Sequence, residues 1–204
     1  MTRWPPALAS VPAALLALPA AAQDRPLVQP SRDVVVTYRV EGAAAQLVPQ
    51  LVPGGAPGTL RLSWDAAGQR LRAEAEGRTQ ALLVDTRSRA ARLMDTSLRT
   101  AFTLPVRGRD MQPLSLEGAR LTRSGAETVA GLACTAYAAQ SSRGEGTVCL
   151  TADGVALRGT GEVDRKQGSF TAITVAYGPL PAALFQVPRG YMQLNMPNAG
   201  RLLQ

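Results

Sequence analysis

From Asp33 onward the chain alternates apolar and polar positions, broken at short intervals by turn residues. In DVVVTYRVE, Val34, Val36, Tyr38 and Val40 fall on one side, with Thr37 and Arg39 on the other. TLRLSWD places Leu60, Leu62 and Trp64 together; after the turn DAAGQ, LRAEAE sets Leu71, Ala73 and Ala75 against Arg72, Glu74 and Glu76. TQALLVD and RAARLMD flank a turn at Asp85 to Ser88, and LRTAFTLP continues the meander. Further on, Asp153-Gly154 is a tight-turn signal before VALRGTGEV, and SFTAITVAY sets Ile173, Val175 and Tyr177 on one side. A period of two means strands, and one wet face means antiparallel pairing. The pattern predicts a mainly β fold of eight to eleven strands. AAAQLVPQLV and RDMQPLSLEG are interrupted by proline, so helix is expected only as short turns in PAALF and the C-terminal tail. Residues 42–58 and 105–118 read as long connections, and Leu47, Val48, Leu51 and Val52 in the first imply that it packs.

The N-terminus follows a different pattern. MTRWPPALASVPAALLALPAAAQ sets Arg3 before an Ala/Leu-rich stretch ending in Ala20-Ala21-Ala22, the arrangement of a cleaved secretory leader. Pro5, Pro6, Pro12 and Pro19 break it up, whereas a membrane anchor needs about twenty uninterrupted apolar residues. The expected organisation is a signal peptide over residues 1–22 and a single domain over 23–204, soluble in the periplasm, with no transmembrane segment after cleavage.

Export changes the reading of the two cysteines, Cys134 and Cys149. In an oxidising space such a pair is a disulfide rather than a redox or zinc pair, and zinc is further disfavoured because the chain has no histidine. A turn centred between Ser141 and Ser142 sets Cys134 directly opposite Cys149, at the roughly 4.5 Å Cα separation of non-hydrogen-bonded neighbours. Ala133, Thr135 and Tyr137 then pair with Leu150, Val148 and Gly146.

Composition adds little chemistry. The 46% hydrophobic content suffices for one core, and the formal charge of +7 comes almost entirely from scattered arginines, with Lys166 the single lysine. Such a surface suits anionic lipid or envelope polymer better than nucleic acid, and no tract joins basic residues to stacking aromatics. GGAPG is not followed by Gly-Lys-Ser/Thr, so no nucleotide cradle is expected. Without histidine, and with both thiols in a disulfide, Ser/His and Cys/His catalysis are excluded. Glu74 and Glu76 read as part of a solvated face, and Asp65, Asp85, Asp95 and Asp153 as turn residues. No catalytic residue, metal site or cofactor is expected.

The order VVVTYRVEG, ALLVDTRSRAARLMD, GLACTAY with GTVCLTADGVALR, and TAITVAYGPLPAALFQVPRGYM resembles exported bacterial proteins of unknown function allied to the LolA and LolB lipoprotein-carrier superfold. The resemblance spans most of residues 33–192. It implies a curved antiparallel half-barrel with an apolar concave face, which in the carriers holds acyl chains under a helical lid; no lid helix is evident in this sequence. The expected function is binding of a lipid-like envelope molecule on that face. Its candidate lining is Val34, Val36, Tyr38, Leu60, Leu62, Trp64, Leu71, Ile173 and Val175, with Leu184 and Phe185 as a plug ended by Pro188 and Gly190. The alternative is a non-catalytic interaction or scaffold protein of the envelope, whose filled core presents loops and basic surface to a partner protein.

Overall fold

A computed structural model describes residues 25–51, 58–104, 116, 118–141, 144–163 and 166–195. The leader expected over residues 1–22 and most of the connection at 105–118 lie outside the described residues. Twelve strands form one sheet: β1 Val34–Gly42, β2 Thr59–Asp65, β3 Arg70–Ala75, β4 Gln80–Asp85, β5 Ala90–Asp95, β6 Thr100–Leu104, β7 Arg120–Val129, β8 Leu132–Ser141, β9 Gly144–Leu150, β10 Ala156–Val163, β11 Lys166–Tyr177 and β12 Met192–Asn195. Their order is β12-β6-β5-β4-β3-β2-β1-β11-β10-β9-β8-β7, and the sheet is curved but open. Two meanders of sequential hairpins therefore meet along a single seam, β1 against β11. The count exceeds the expected eleven. All pairings are antiparallel except the last, where β12 returns to lie parallel to β6.

One turn chemistry recurs in the first meander. Asp65, Asp85 and Asp95 each end a strand, and each accepts a backbone N–H from the turn that follows: Gly68 at 2.9 Å, Ser88 at 2.8 Å, and Ser97 at 2.9 Å with Leu98 at 3.1 Å. Gln69, Arg89 and Arg99 then take positive φ of 51°, 54° and 50° to re-enter the next strand. The carboxylates are held in their charged forms by these bonds. The Ser97 hydroxyl and the Leu98 amide bring Asp95 down to about 2.

The apolar phase of the strands builds the core. Val34, Val36, Tyr38 and Val40 from β1 join Leu60 and Trp64, Ala73 and Ala75, Leu82 and Val84, Ala91, Leu157 and Ala172 in one cluster on the concave side. A second cluster of Tyr137, Val148 and Leu150 is linked to the first by Phe170, which packs against both.

Residues 42–58 differ from their reading as a connection, because α1 spans Ala43–Leu51 with Pro49 inside it. Proline removes one intrahelical hydrogen bond, but in nine residues few such bonds exist to lose. Burial of Ala45 and Val48 against the core, at 8% and 1% exposure, supplies the compensation. The helix starts close on the sheet because Gly42, at φ 62°, and its ladder partner Gly168 present no side chains where β1 and β11 turn into it. PAALF forms the expected short turn, a 3₁₀ helix at Ala182–Phe185. Beyond it Met192–Asn195 is strand rather than helical turn, and the rest of the tail lies outside the described residues.

Candidate functional site

The concave face carries the residues expected to line a ligand site. Val34, Val36, Tyr38, Leu60 and Trp64 lie there with exposures between 1% and 8%, and Leu62, Leu71 and Val175 pack half-buried against them. The ladder explains the grouping, since Val36 stands opposite Leu62 and Val175, Tyr38 opposite Leu60, and Val34 opposite Trp64 and Tyr177. Both aromatic tips are already satisfied by the chain itself. The Tyr38 hydroxyl donates to the Ala156 carbonyl at 2.8 Å, and the Trp64 indole N–H donates to the Pro30 carbonyl at 2.7 Å. Burial holds the Tyr38 proton on well above the usual phenol range. The Phe170 ring meets Tyr38 edge-on at 5.5 Å, lying over Gly159, where any Cβ would strike it.

Ile173 departs from this set. Thr37 pairs with Thr174 but Tyr38 with Ala172, so Ile173 is the extra residue of a β-bulge. The slip reverses the phase of β11 there: Val175 and Tyr177 before the bulge and Ala172 and Phe170 beyond it face the core, while Ile173 is 44% exposed.

The disulfide is formed, in a different register from the expected one. Thr135 pairs with Leu150, Ala136 with Cys149 and Tyr137 with Val148, so Cys134 sits diagonally to Cys149 instead of opposite it. The Cα atoms are 5.5 Å apart, within reach of a bridge. This register sets Tyr137 against Val148 in the second apolar cluster, whereas the expected pairing would have faced Tyr137 with Gly146. Nearby, Asp153 ties the N-terminal segment to the turn before β10 through Arg32 at 3.0 Å, Tyr177 at 3.2 Å and Thr151 at 2.6 Å. Burial works against its charge, but the Thr151 hydroxyl and Arg32 guanidinium outweigh that and hold the carboxyl below its ordinary range.

On the opposite side of the sheet lies an arrangement that alternation alone does not reveal. After β11 the chain crosses the outer side of β3 to β6. Asp33 accepts the Leu180 N–H at 3.0 Å, Arg72 donates to the Leu184 carbonyl at 3.0 Å, and β12 docks on β6. Leu184 and Phe185 thus plug the outer side, not the concave hollow. Beneath this strap is a cavity of about 310 Å³ lined by Arg70, Leu83, Asp85, Ala90, Arg92, Phe185, Val187 and Gln193. The signal was present in part, as Arg70, Arg72 and Arg92 lie on the polar phase of their strands. What covers them is a long-range contact. Among the described residues, no three His, Cys, Asp or Glu side chains gather as a metal site would require.

No family model matches the sequence, and no curated protein matches it. The structure is similar to an uncharacterized conserved protein from Thermus thermophilus, at 12% identity and a TM-score of 0.52, covering 81% of this chain and 91% of that one. At that identity the likeness is one of fold, an open curved sheet. Weaker matches are the Pseudomonas aeruginosa MucA/MucB complex, at 16% identity, TM-score 0.43, 76% of this chain and 56% of that one, and Mycobacterium tuberculosis lipoprotein LppX, at 13%, 0.45, 73% and 88%.

Proposed function

We propose that this is an exported periplasmic protein that acts by binding a partner of the envelope, not by catalysis, with the concave face as its structural core. The observation that carries the reading is the closure of that face: Tyr38 and Trp64 spend their polar tips on the chain's own carbonyls, among neighbours that are nearly solvent-free. Export is supported by the leader pattern and by the disulfide, which persists in an oxidising compartment. Arg39, Arg61 and Arg92 project from one side of the sheet, so the surface left for a partner is the basic outer side, suited to an anionic one.

A second reading is favoured by α1. Among its described side chains only Ala45 and Val48 are buried, so lifting it costs about 3 kcal/mol. A bound acyl chain would repay that cost, and α1 would then be the lid over an amphiphile.

Neighbouring residues on β2 separate the two. Arg61 is exposed on the outer side and Leu62 lies on the concave side. With a small photo-crosslinking residue placed at each position and irradiated in the native envelope, position 61 should capture a discrete protein and position 62 only this chain. A lipid-sized adduct at 62 with none at 61 replaces the partner-binding reading by the amphiphile one.

A further inference from the structure

We propose that the cavity under the C-terminal strap, on the outer side of β3 to β5, binds a small anionic amphiphile, with its carboxylate on Arg92 and its apolar body against Leu83, Phe185 and Val187. The site rests on the same basic outer side as the partner-binding reading and shares Arg92 with it, naming one small ligand there, and it is independent of whether the concave face opens.

The charges around the cavity decide the sign of the ligand. Arg70 is committed: its Nε donates to Asp65 at 2.7 Å, and its guanidinium lies 5.3 Å from the centre of the Phe185 ring. Arg72, next to it on β3, is taken by Glu74 at 2.7 Å and the Leu184 carbonyl. Asp85 keeps its negative charge at the cavity wall, but the Ser88 N–H and the nearby Arg87 of its own hairpin balance it. Arg92 is different, being exposed and without an ion-pair partner among the described residues. The unmet charge is positive, and it stands beside apolar wall. Leu83 is 5% and Phe185 7% exposed, so the strap fixes this wall in place. A volume of about 310 Å³ sits at the lower end for small-molecule sites, enough for a head group and a short chain. A cation meets Arg92 unfavourably, and a neutral chain leaves it without a partner.

The test is calorimetric titration of the protein purified after export with decanoate, decyl maltoside and decylammonium, each below its micellar concentration. Decanoate should bind one to one, at least about tenfold tighter than the other two, as expected for one charge-assisted contact. Arg92→Gln should weaken decanoate by about tenfold and leave decyl maltoside unchanged. Ala90→Trp, which fills the cavity, should abolish decanoate binding; if circular dichroism shows that variant unfolded, Val187→Trp takes its place. Arg123→Gln, an exposed arginine on β7 outside the cavity, should leave decanoate binding unchanged. The proposal is overturned if decanoate gives no binding heat, if Arg92→Gln binds it as tightly as the parent, if decylammonium binds as well, or if Arg123→Gln weakens it equally. Because neither 61 nor 62 lines the cavity, the crosslinking result and this one fail independently.

Discussion

Shortening Leu60 to alanine tests whether the concave face is core or hollow. Leu60 is 6% exposed, belongs to the main apolar cluster, and stands opposite Tyr38 on β1 and Ala75 on β3. In a filled core, Leu60→Ala removes three buried carbons and leaves a void its neighbours cannot fully collapse into, a loss of about 3 kcal/mol. With a urea m-value of about 2 kcal/mol per molar, the midpoint falls by about 1.5 M. The assay is equilibrium urea unfolding read by fluorescence, for which Trp64 is the one tryptophan besides Trp4. Ile173→Ala is the internal control. It deletes a similar side chain from the exposed bulge and should cost under about 1 kcal/mol. If Leu60 lined an open hollow, its truncation would create no new void and the two variants would look alike. A loss below about 1 kcal/mol for Leu60→Ala, with an unchanged m-value, refutes the filled core.

Other expectations follow from the same geometry. Replacing Cys134 and Cys149 together by alanine should cost about 3 kcal/mol from the roughly 15-residue loop they close, measured by urea unfolding, while the parent shows no free thiol when titrated under denaturing, non-reducing conditions. Asp95, at about 2 in the folded chain against 3.8 for a free carboxyl, contributes stability that is complete above pH 4 and lost as pH falls from about 4 towards 2. Asp95→Asn should flatten that part of a stability-versus-pH curve, and an unchanged acid limb would show the turn bonds to be immaterial. Gly42→Ala forces a side chain into a position with φ 62°, where its Cβ would collide with the Gln167 carbonyl oxygen. It should therefore speed hydrogen exchange across α1 while sparing β4 and β5.

Much of this fold was legible because an antiparallel strand with one dry face writes its period directly into the sequence. β1, β2 and β3 follow that rule, and their apolar phase is the core. The departures occur where a local rule meets a distant contact. Ile173 reads in phase with Val175 because the apolar residues around the bulge look alike; only pairing with β1 reveals which one is extra. The cysteines point to the hairpin, but the ladder is set by Tyr137 against Val148, and the bridge tolerates the diagonal. α1 was hidden by Pro49 and declared by its burial. The cavity was least visible, since one wall comes from β3 to β5 and the other from residues nearly a hundred positions later.

The seam between β1 and β11 has a consequence for how the molecule comes into being. Each meander can zip by near-neighbour hairpins, and Cys134 can find Cys149 within one of them. The join between the meanders, by contrast, links residues 34–42 to 168–177, almost the whole described chain apart. On any route that delivers the N-terminus first, β1 waits with its Val34, Val36 and Val40 row uncovered until β11 emerges, and loop closure of that span is slow. The edge of β1 that receives β11 is therefore made first among the described strands and matched among the last, so the time of greatest aggregation hazard falls in the interval before the last forty residues arrive.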